Sequence, residues 1–288
     1  MRAATTDRNL GFSMKTEDLV QGSAKWKEFR IQGIGASECA AVMGLSPYMT
    51  RHDVWMEKTG RRQGFEGNSA TERGQALEAK ARSLYELENL ETMTPAIAVH
   101  PAWPFLRASL DGVSEDKSTV LEIKIPGKET VAMAKRGEVP EHYQLQCQMQ
   151  LLVTGAEQVH FFVYSHEDDS SALVVIKPDL PIQVRIVEEL TLFWTENILK
   201  DVAPPLTDRD VKDFDGDREM ETLVENFLSM KDKLDKKDLD EAKALLMKAA
   251  SHPKMKCGRL KLTAVSRNGK FSYHKLTLAD DELDKTGT

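Results

Sequence analysis

Cysteine is scarce in this chain: Cys39, Cys147 and Cys257 are the only three in 288 residues, widely spaced and odd in number. That argues against a disulfide framework and against a Cys-ligated zinc or iron–sulfur site, and a reducing cytoplasm is the expected compartment. No apolar run is long enough to span a bilayer, and the N-terminus lacks the apolar core of a signal peptide, so no membrane association is expected. The seven histidines form no H-x₃-H pair, which leaves them as structural or surface residues. Aromatics are only 7% of the chain and do not cluster, which excludes a base-stacking platform of the RRM type. No internal repeat is visible.

What is there is ordinary in bulk and uneven in detail. About 41% apolar and 30% charged residues describe a globular protein with one large core plus an appendage, or two modest domains. The net charge is −7, but its distribution matters more than its sum. From Lys248 to Lys275 the chain carries eight lysines and arginines and no acid, whereas Asp208 to Glu241 is rich in Asp and Glu. A solvated surface without a partner explains such a cluster as readily as a binding site does.

Punctuation and periodicity divide the chain. Residues 1–23 read as a loose polar arm. Residues 24–203 hold helices up to Gly60, a helix from Thr71 to about Leu90, and strands near Ile97–His100, Arg107–Leu110 and Val120–Ile125. Ser37 is placed to cap a short helix that begins at Glu38. Gln144 to Leu151 alternates like a strand, yet Val139, Tyr143, Cys147 and Leu151 make an i, i+4 stripe, which favours a helix. Strands at Val159–Tyr164 and Ala172–Ile176 and a helix over Ile182–Leu199 follow, and Pro204-Pro205 marks a boundary. Residues 206–288 read as two helices, Glu219–Leu234 and Asp238–Ala250, and a basic hairpin through Asn268-Gly269.

The chemistry concentrates in Val120-Leu121-Glu122-Ile123-Lys124-Ile125. On a strand, Glu122 and Lys124 share one face while Leu121, Ile123 and Ile125 share the other. A core strand seldom buries two opposite charges side by side unless they are paired or metal-bound. Asp111, before an expected tight turn at Asp111-Gly112, returns a second carboxylate to that face if the segments form a hairpin. Two hard oxygen ligands suit Mg²⁺ or Mn²⁺, and the lysine can position or help deprotonate a water. The bland alternative is a cross-strand ion pair on a wet sheet face, worth about 0.2–1 kcal/mol. Glu78, beside the apolar stripe of Leu77, Ala81 and Leu84, can reach a metal or face solvent.

Several motifs in order carry a resemblance. Trp26-x₃-Arg30-x₂-Gly33-Ile34-Gly35-Ala36-Ser37-Glu38 is followed by Gly44-Leu45-Ser46-Pro47-Tyr48 and Trp55-x-Glu57-Lys58-Thr59-Gly60. Then come Gly74-x₃-Glu78, Ala108-Ser109-Leu110-Asp111-Gly112, Leu121-Glu122-Ile123-Lys124 and Tyr143-x₂-Gln146-x-Gln148. Over roughly residues 24–200 this resembles the YqaJ-type viral recombinases, relatives of phage lambda exonuclease within the PD-(D/E)xK nuclease superfamily. Leu110 departs from the proline that many members carry before the aspartate. The resemblance implies an α/β fold with a mixed central sheet flanked by helices, to which residues 206–288 add a helical and β-hairpin appendage. It implies that Asp111 and Glu122 are the principal metal ligands, completed by the Ile123 carbonyl and Glu78, for Mg²⁺ or Mn²⁺, normally two ions. Lys124 would hold the attacking water and Gln146 would orient the water or the phosphate. Arg30, Ser37 and Ser109 match residues that grip a 5′-phosphate. The implied activity is 5′-to-3′ digestion of one strand of linear double-stranded DNA, leaving 3′ tails for a single-strand annealing protein. A ring-shaped homotrimer is implied too, without independent support in the residues. The alternatives are a structure- or site-specific endonuclease with the same metal site, and a non-catalytic DNA-binding adaptor.

Overall fold

A computed structural model describes residues 14–19, 22–62, 69–214, 216–231, 236–249, 254–257, 260–267 and 270–278. The chain divides into two compact units, Met1–Ile198 and Leu199–Thr288.

In the first unit the elements run β1 (Lys15–Thr16), α1 (Ala24–Ile31), β2 (Ile34–Gly35), α2 (Cys39–Val42), α3 (Arg51–Lys58), α4 (Ser69–Asn89) and β3 (Thr94–Val99). They continue through β4 (Leu106–Val113), β5 (Thr119–Lys124), α5 (Lys128–Lys135), α6 (Glu141–Thr154), β6 (Gln158–Tyr164), β7 (Ser171–Ile176) and α7 (Leu180–Leu192). The sheet order is β1-β3-β4-β5-β6-β7, with β2 added parallel to β4. β5 and β6 run parallel, with α5 and α6 in the crossover between them, while the pairs β3–β4, β4–β5 and β6–β7 are antiparallel. The expected loose N-terminal arm is partly ordered: Met14 is buried and Lys15 and Thr16 pair with Val99 and Ala98. Residues 1–13, 20 and 21 lie outside the described residues.

Alternation in β5 assigns helices to the two sides of the sheet. Leu121 and Ile123 pack with Ala81 and Tyr85 of α4, and with Met93, Phe162 and Tyr164. Glu122 points to the other side and meets α6. That helix is buried almost all round, from Leu145 to Leu151 without a break. A helix with no solvent face need not show a polar stripe, which is why its sequence mimics strand alternation. Gln148 is satisfied inside: it donates to the Lys177 carbonyl and accepts the Asp179 N–H, at 2.8 and 2.9 Å. Gly155, at φ 71°, ends the helix in the left-handed conformation that glycine adopts without steric cost.

The second unit contains β8 (Val211–Asp213), α8 (Arg218–Lys231), α9 (Lys236–Ala249), β9 (Lys254–Cys257), β10 (Leu260–Arg267) and β11 (Lys270–Leu278). Its sheet runs β11-β10-β9-β8, over a core of Phe214, Met220, Val224, Phe227, Leu246, Met255, Cys257, Leu260 and Leu262. β10 and β11 form the expected hairpin, whose Asn268-Gly269 connection lies outside the described residues. β8 and β9 were not visible as strands in the sequence. All three cysteines are buried free thiols, and no helix among the described residues is long and apolar enough to cross a membrane.

Candidate active site

β4 and β5 do form a hairpin, but its turn spans Ser114 to Ser118 and not Asp111-Gly112, which lies inside β4. The glycine has another reason to be there. A Cβ on Gly112 would stand 2.6 Å from that of Met93, so only glycine lets β4 approach this side chain. The β3–β4 register also slips here, between Thr94↔Val113 and Ala96↔Leu110, so Asp111 and Gly112 together oppose Pro95. Such a bulge re-aims the side chains it carries, and the proline across from it has no N–H to leave unpaired.

The bulge brings Asp111 to the point where the β4–β5 ladder stops after Gly112↔Leu121. Its Oδ2 takes the Ile123 N–H at 2.7 Å, in place of a backbone carbonyl. In a strand, the N–H and C=O of one residue point to the same side, so the Ile123 carbonyl faces the same gap. Glu122, only 2% exposed, is gripped at both oxygens: Gln146 Nε2 donates to Oε1 at 2.6 Å and Gln150 Nε2 to Oε2. Lys124 Nζ makes an ion pair with Glu122 Oε1 and lies 5.1 Å from the centre of the Tyr143 ring. On α4, Glu78 sits 3.8 Å from Arg82, whose guanidinium donates to the Asp111 carbonyl at 3.1 Å.

The cluster is short of positive charge. Burial, reinforced by the charge of Glu122, holds the Asp111 carboxyl well above the usual carboxylate range, and Lys124 only partly offsets this. Burial also raises Glu78, and the charge of Glu122 adds to it against the pull of Arg82. Lys124 moves the other way: burial would lower it, but Glu122 and Asp111 outweigh burial and keep it a firmly protonated ammonium. It is therefore a fixed cation and not a proton acceptor in this state. The donor set, two carboxylates and a backbone carbonyl with an unmet negative charge, fits a hard divalent cation. Among the described residues no three acidic, histidine or cysteine side chains gather as a metal-binding group, so Glu78 does not join Asp111 and Glu122 as a third side-chain ligand here.

A second polar cluster lies along the same strand. Ser109 precedes Asp111 by two residues, about 7 Å along β4, and its hydroxyl accepts the Trp26 indole N–H at 3.3 Å. The Arg30 guanidinium stacks over the same indole, 5.0 Å from its centre, and pairs with Glu38 at 2.6 Å. Glu38 also binds Lys58 Nζ at 2.7 Å, and Lys58 donates to the Arg30 carbonyl at 2.7 Å. Burial pushes the Glu38 carboxyl up, but the charges of Lys58 and Arg30 outweigh burial and hold it below the usual range. Ser37 does not cap a helix: Gly35 is the cap of a single 3₁₀ turn, its N–H donates to Glu38 at 2.7 Å, and Ser37 is left exposed.

Of the residues singled out in the sequence, Asp111, Glu122, Ile123, Lys124 and Gln146 converge. Arg30 and Ser109 meet through Trp26, while Glu78 and Ser37 stand at the margins. Gln150, Lys58 and the role of Glu38 went unseen. Gln150 was findable, since it falls one helical turn after Gln146 on the same face. Lys58 lies twenty positions from Glu38, and no periodicity links them.

Residues 25–157 match the family described as the YqaJ-like viral recombinase domain. The chain is 27% identical over 187 residues to the uncharacterized protein YqaJ of Bacillus subtilis (strain 168), covering 63% of this chain and 58% of that one. It thus spans less than two-thirds of that relative's length. Among solved structures, the alkaline exonuclease LHK-Exo from Laribacter hongkongensis superposes with a TM-score of 0.54 at 28% identity, covering 60% of this chain and 92% of that one. LHK-Exo in complex with dAMP gives the same TM-score, 0.54, at 27% identity, with the same 60% and 92% covered. The resemblance drawn from the motifs therefore holds, and the first unit has the PD-(D/E)xK-type α/β fold, a mixed central sheet flanked by helices.

Proposed function

We propose, for a chain so similar to viral recombinases and to an alkaline exonuclease, that it is a metal-dependent deoxyribonuclease. It digests one strand of linear duplex DNA from a 5′ end to mononucleotides and leaves 3′ tails. The observation that carries this reading is the convergence of Asp111, Glu122 and Lys124 at the bulged end of the β4–β5 ladder, with a negative charge left over.

Asp111, Glu122 and the Ile123 carbonyl would hold Mg²⁺ or Mn²⁺, with Glu78 at the margin for a second ion. Bound there, the ions supply a water of lowered pKa and charge neutralisation for an in-line displacement at phosphorus. Lys124 contributes a fixed positive charge beside the scissile phosphate and holds the attacking water. Gln146 and Gln150 fix the Glu122 carboxylate, so that little reorganisation is needed when substrate arrives. Arg30, backed by Trp26, whose indole also meets Ser109, offers a terminal 5′-phosphate a charge-assisted contact, with Ser37 at the margin. The dAMP bound by LHK-Exo is a mononucleotide of the kind such a reaction releases. The 3′ tails would serve recombination beside a single-strand annealing protein, and a homotrimer encircling the duplex is part of the same reading.

The test is nucleotide release with Mg²⁺ from 5′-phosphorylated linear duplex and from the same DNA as a closed circle. The linear form is expected to be consumed and the circle to persist. Cutting of the circle would replace the exonuclease reading with an endonuclease, and intact DNA in both would leave a non-catalytic adaptor.

A further inference from the structure

Gly44-Leu45-Ser46-Pro47-Tyr48 carries part of the family resemblance, and the reaction set out above gives it no task. The turn is built to hold its last residue outward. Gly44, at φ 77°, lets the chain reverse after α2, where the N–H groups of Leu45 and Ser46 both donate to the Ala40 carbonyl, at 2.8 and 3.0 Å. Ser46 is buried, and its hydroxyl accepts the N–H of Tyr48 at 3.1 Å and that of Met49 at 3.3 Å. Thr50 and Asp53 then cap α3 reciprocally. The backbone on both sides of Tyr48 is thus fixed, while Tyr48 itself is 72% exposed.

Rings far apart in the sequence meet here. Tyr48 stands nearly perpendicular to His142, with 5.5 Å between ring centres, and His142 lies 4.1 Å from Tyr143. The Tyr143 ring centre is in turn 5.1 Å from Lys124 Nζ, and Tyr143 sits one helical turn before Gln146, which grips Glu122. Burial, with the charge of Lys124, holds the His142 imidazole below its ordinary pKa. Burial pushes the Tyr143 phenol up to about 12 against the pull of Lys124, and a hydrogen bond with Tyr48 adds to the rise. The two inner rings are therefore neutral, and with Tyr48 they lead from solvent to the lysine that would face the scissile phosphate. An exposed tyrosine can serve a protein partner or a nucleobase, and this position favours the base. Stacking tolerates every base, because each has a π-face, which suits an enzyme that must degrade any sequence. A ring whose backbone is fixed beforehand also loses little freedom on binding.

We propose that Tyr48, supported by His142 and Tyr143, stacks against an unpaired base of the processed strand next to the scissile phosphate. The proposal rests on the nuclease reading for the presence of that strand. It adds a grip on the base, which contacts to metal and phosphate do not supply. A single ring of this kind is not the multi-base platform that the sparse aromatics exclude.

The experiment measures binding of the full-length protein, in EDTA so that no hydrolysis occurs, to duplex DNA with a short 5′-phosphorylated overhang. The overhang carries either its bases or abasic sites, so the two ligands share every phosphate and every base pair. The wild type is expected to bind the overhang with bases about tenfold more tightly. Tyr48→Ala, folded by circular dichroism, is expected to bind the two within about twofold, and Tyr48→Phe to restore the tenfold preference. If Tyr48→Ala fails to fold, Tyr48→Leu keeps an apolar contact with His142 without the flat ring, and is expected to lose the preference likewise. A merely structural role would weaken both ligands equally, so a preference as large in the folded variant as in the wild type overturns the proposal. A wild type without any preference overturns it too. Nucleotide release from linear duplex with Mg²⁺, measured alongside, separates the two readings. Release without a base preference removes only the role of Tyr48, and a base preference lost with the ring, without release, removes only the nuclease.

Discussion

Two buried Glu–Lys pairs sit in the first unit, and they are built to opposite ends. Glu38 faces Lys58 and Arg30, one acid against two cations, and its carboxyl is held below the usual range. Glu122 faces Lys124 with Asp111 alongside, two acids against one cation, and Asp111 is held well above it. Both acids are 2% exposed, so burial alone does not separate them. The difference is local charge balance. The first cluster closes on itself and leaves surplus positive charge on Arg30, whose side chain is 37% exposed. The second carries surplus negative charge that a divalent cation would remove. A buried ion pair therefore says little about function until its neighbours are counted.

The sharpest way to break the comparison is Lys58→Met. It leaves Glu38 buried with only the half-exposed Arg30, and stability is expected to fall by about 3 kcal/mol in urea unfolding. A loss under about 1 kcal/mol would mean the cluster is not the closed structural unit described. Asp111→Asn should do the reverse. It relieves repulsion with Glu122, so in EDTA the variant is expected to be as stable as the wild type or about 1 kcal/mol more so, with activity lost. Clear destabilisation would show that the site has no unmet charge.

Acid should separate the pairs in a third way. A carboxyl whose folded pKa lies below its unfolded value, for a glutamate the ordinary 4.5, contributes stability that is present above that value. This contribution is lost as pH falls through the lower, folded pKa. Glu38→Gln removes a titrating group of this kind, so its stability should decline less steeply than the wild type's as pH drops below 4.5. Parallel decline would contradict the assignment. The smallest effect is expected at Arg30. Because that side chain is partly exposed, Arg30→Ala should cost less than about 1 kcal/mol of stability. It should nonetheless lower the rate ratio for 5′-phosphorylated over 5′-hydroxyl ends about tenfold, the size of one charge-assisted contact. An unchanged ratio would detach Arg30 from the 5′ end.

The sequence was legible where one residue's position decided the matter. Alternation placed Glu122 and Lys124 on one face, and the i, i+4 stripe through Tyr143 and Cys147 correctly made a helix of an alternating segment. It misled where one motif has two physical causes. Asp111-Gly112 reads as a turn because glycine tolerates positive φ, but here glycine answers a close approach by Met93 and marks a bulge. It was silent where distant residues meet. Nothing near Glu38 announces Lys58, and nothing near Ser109 announces the Trp26 indole.

The central claim is that the charge-deficient cluster around Glu122 hydrolyses DNA. Its most direct measurement is nucleotide release from 5′-phosphorylated linear duplex with Mg²⁺, by the wild type and by Lys124→Ala, with DNA binding followed in parallel. The expected result is release by the wild type and a loss of about a thousandfold in the variant, with binding retained. Release at the wild-type rate by Lys124→Ala would contradict it, and so would no release by the wild type.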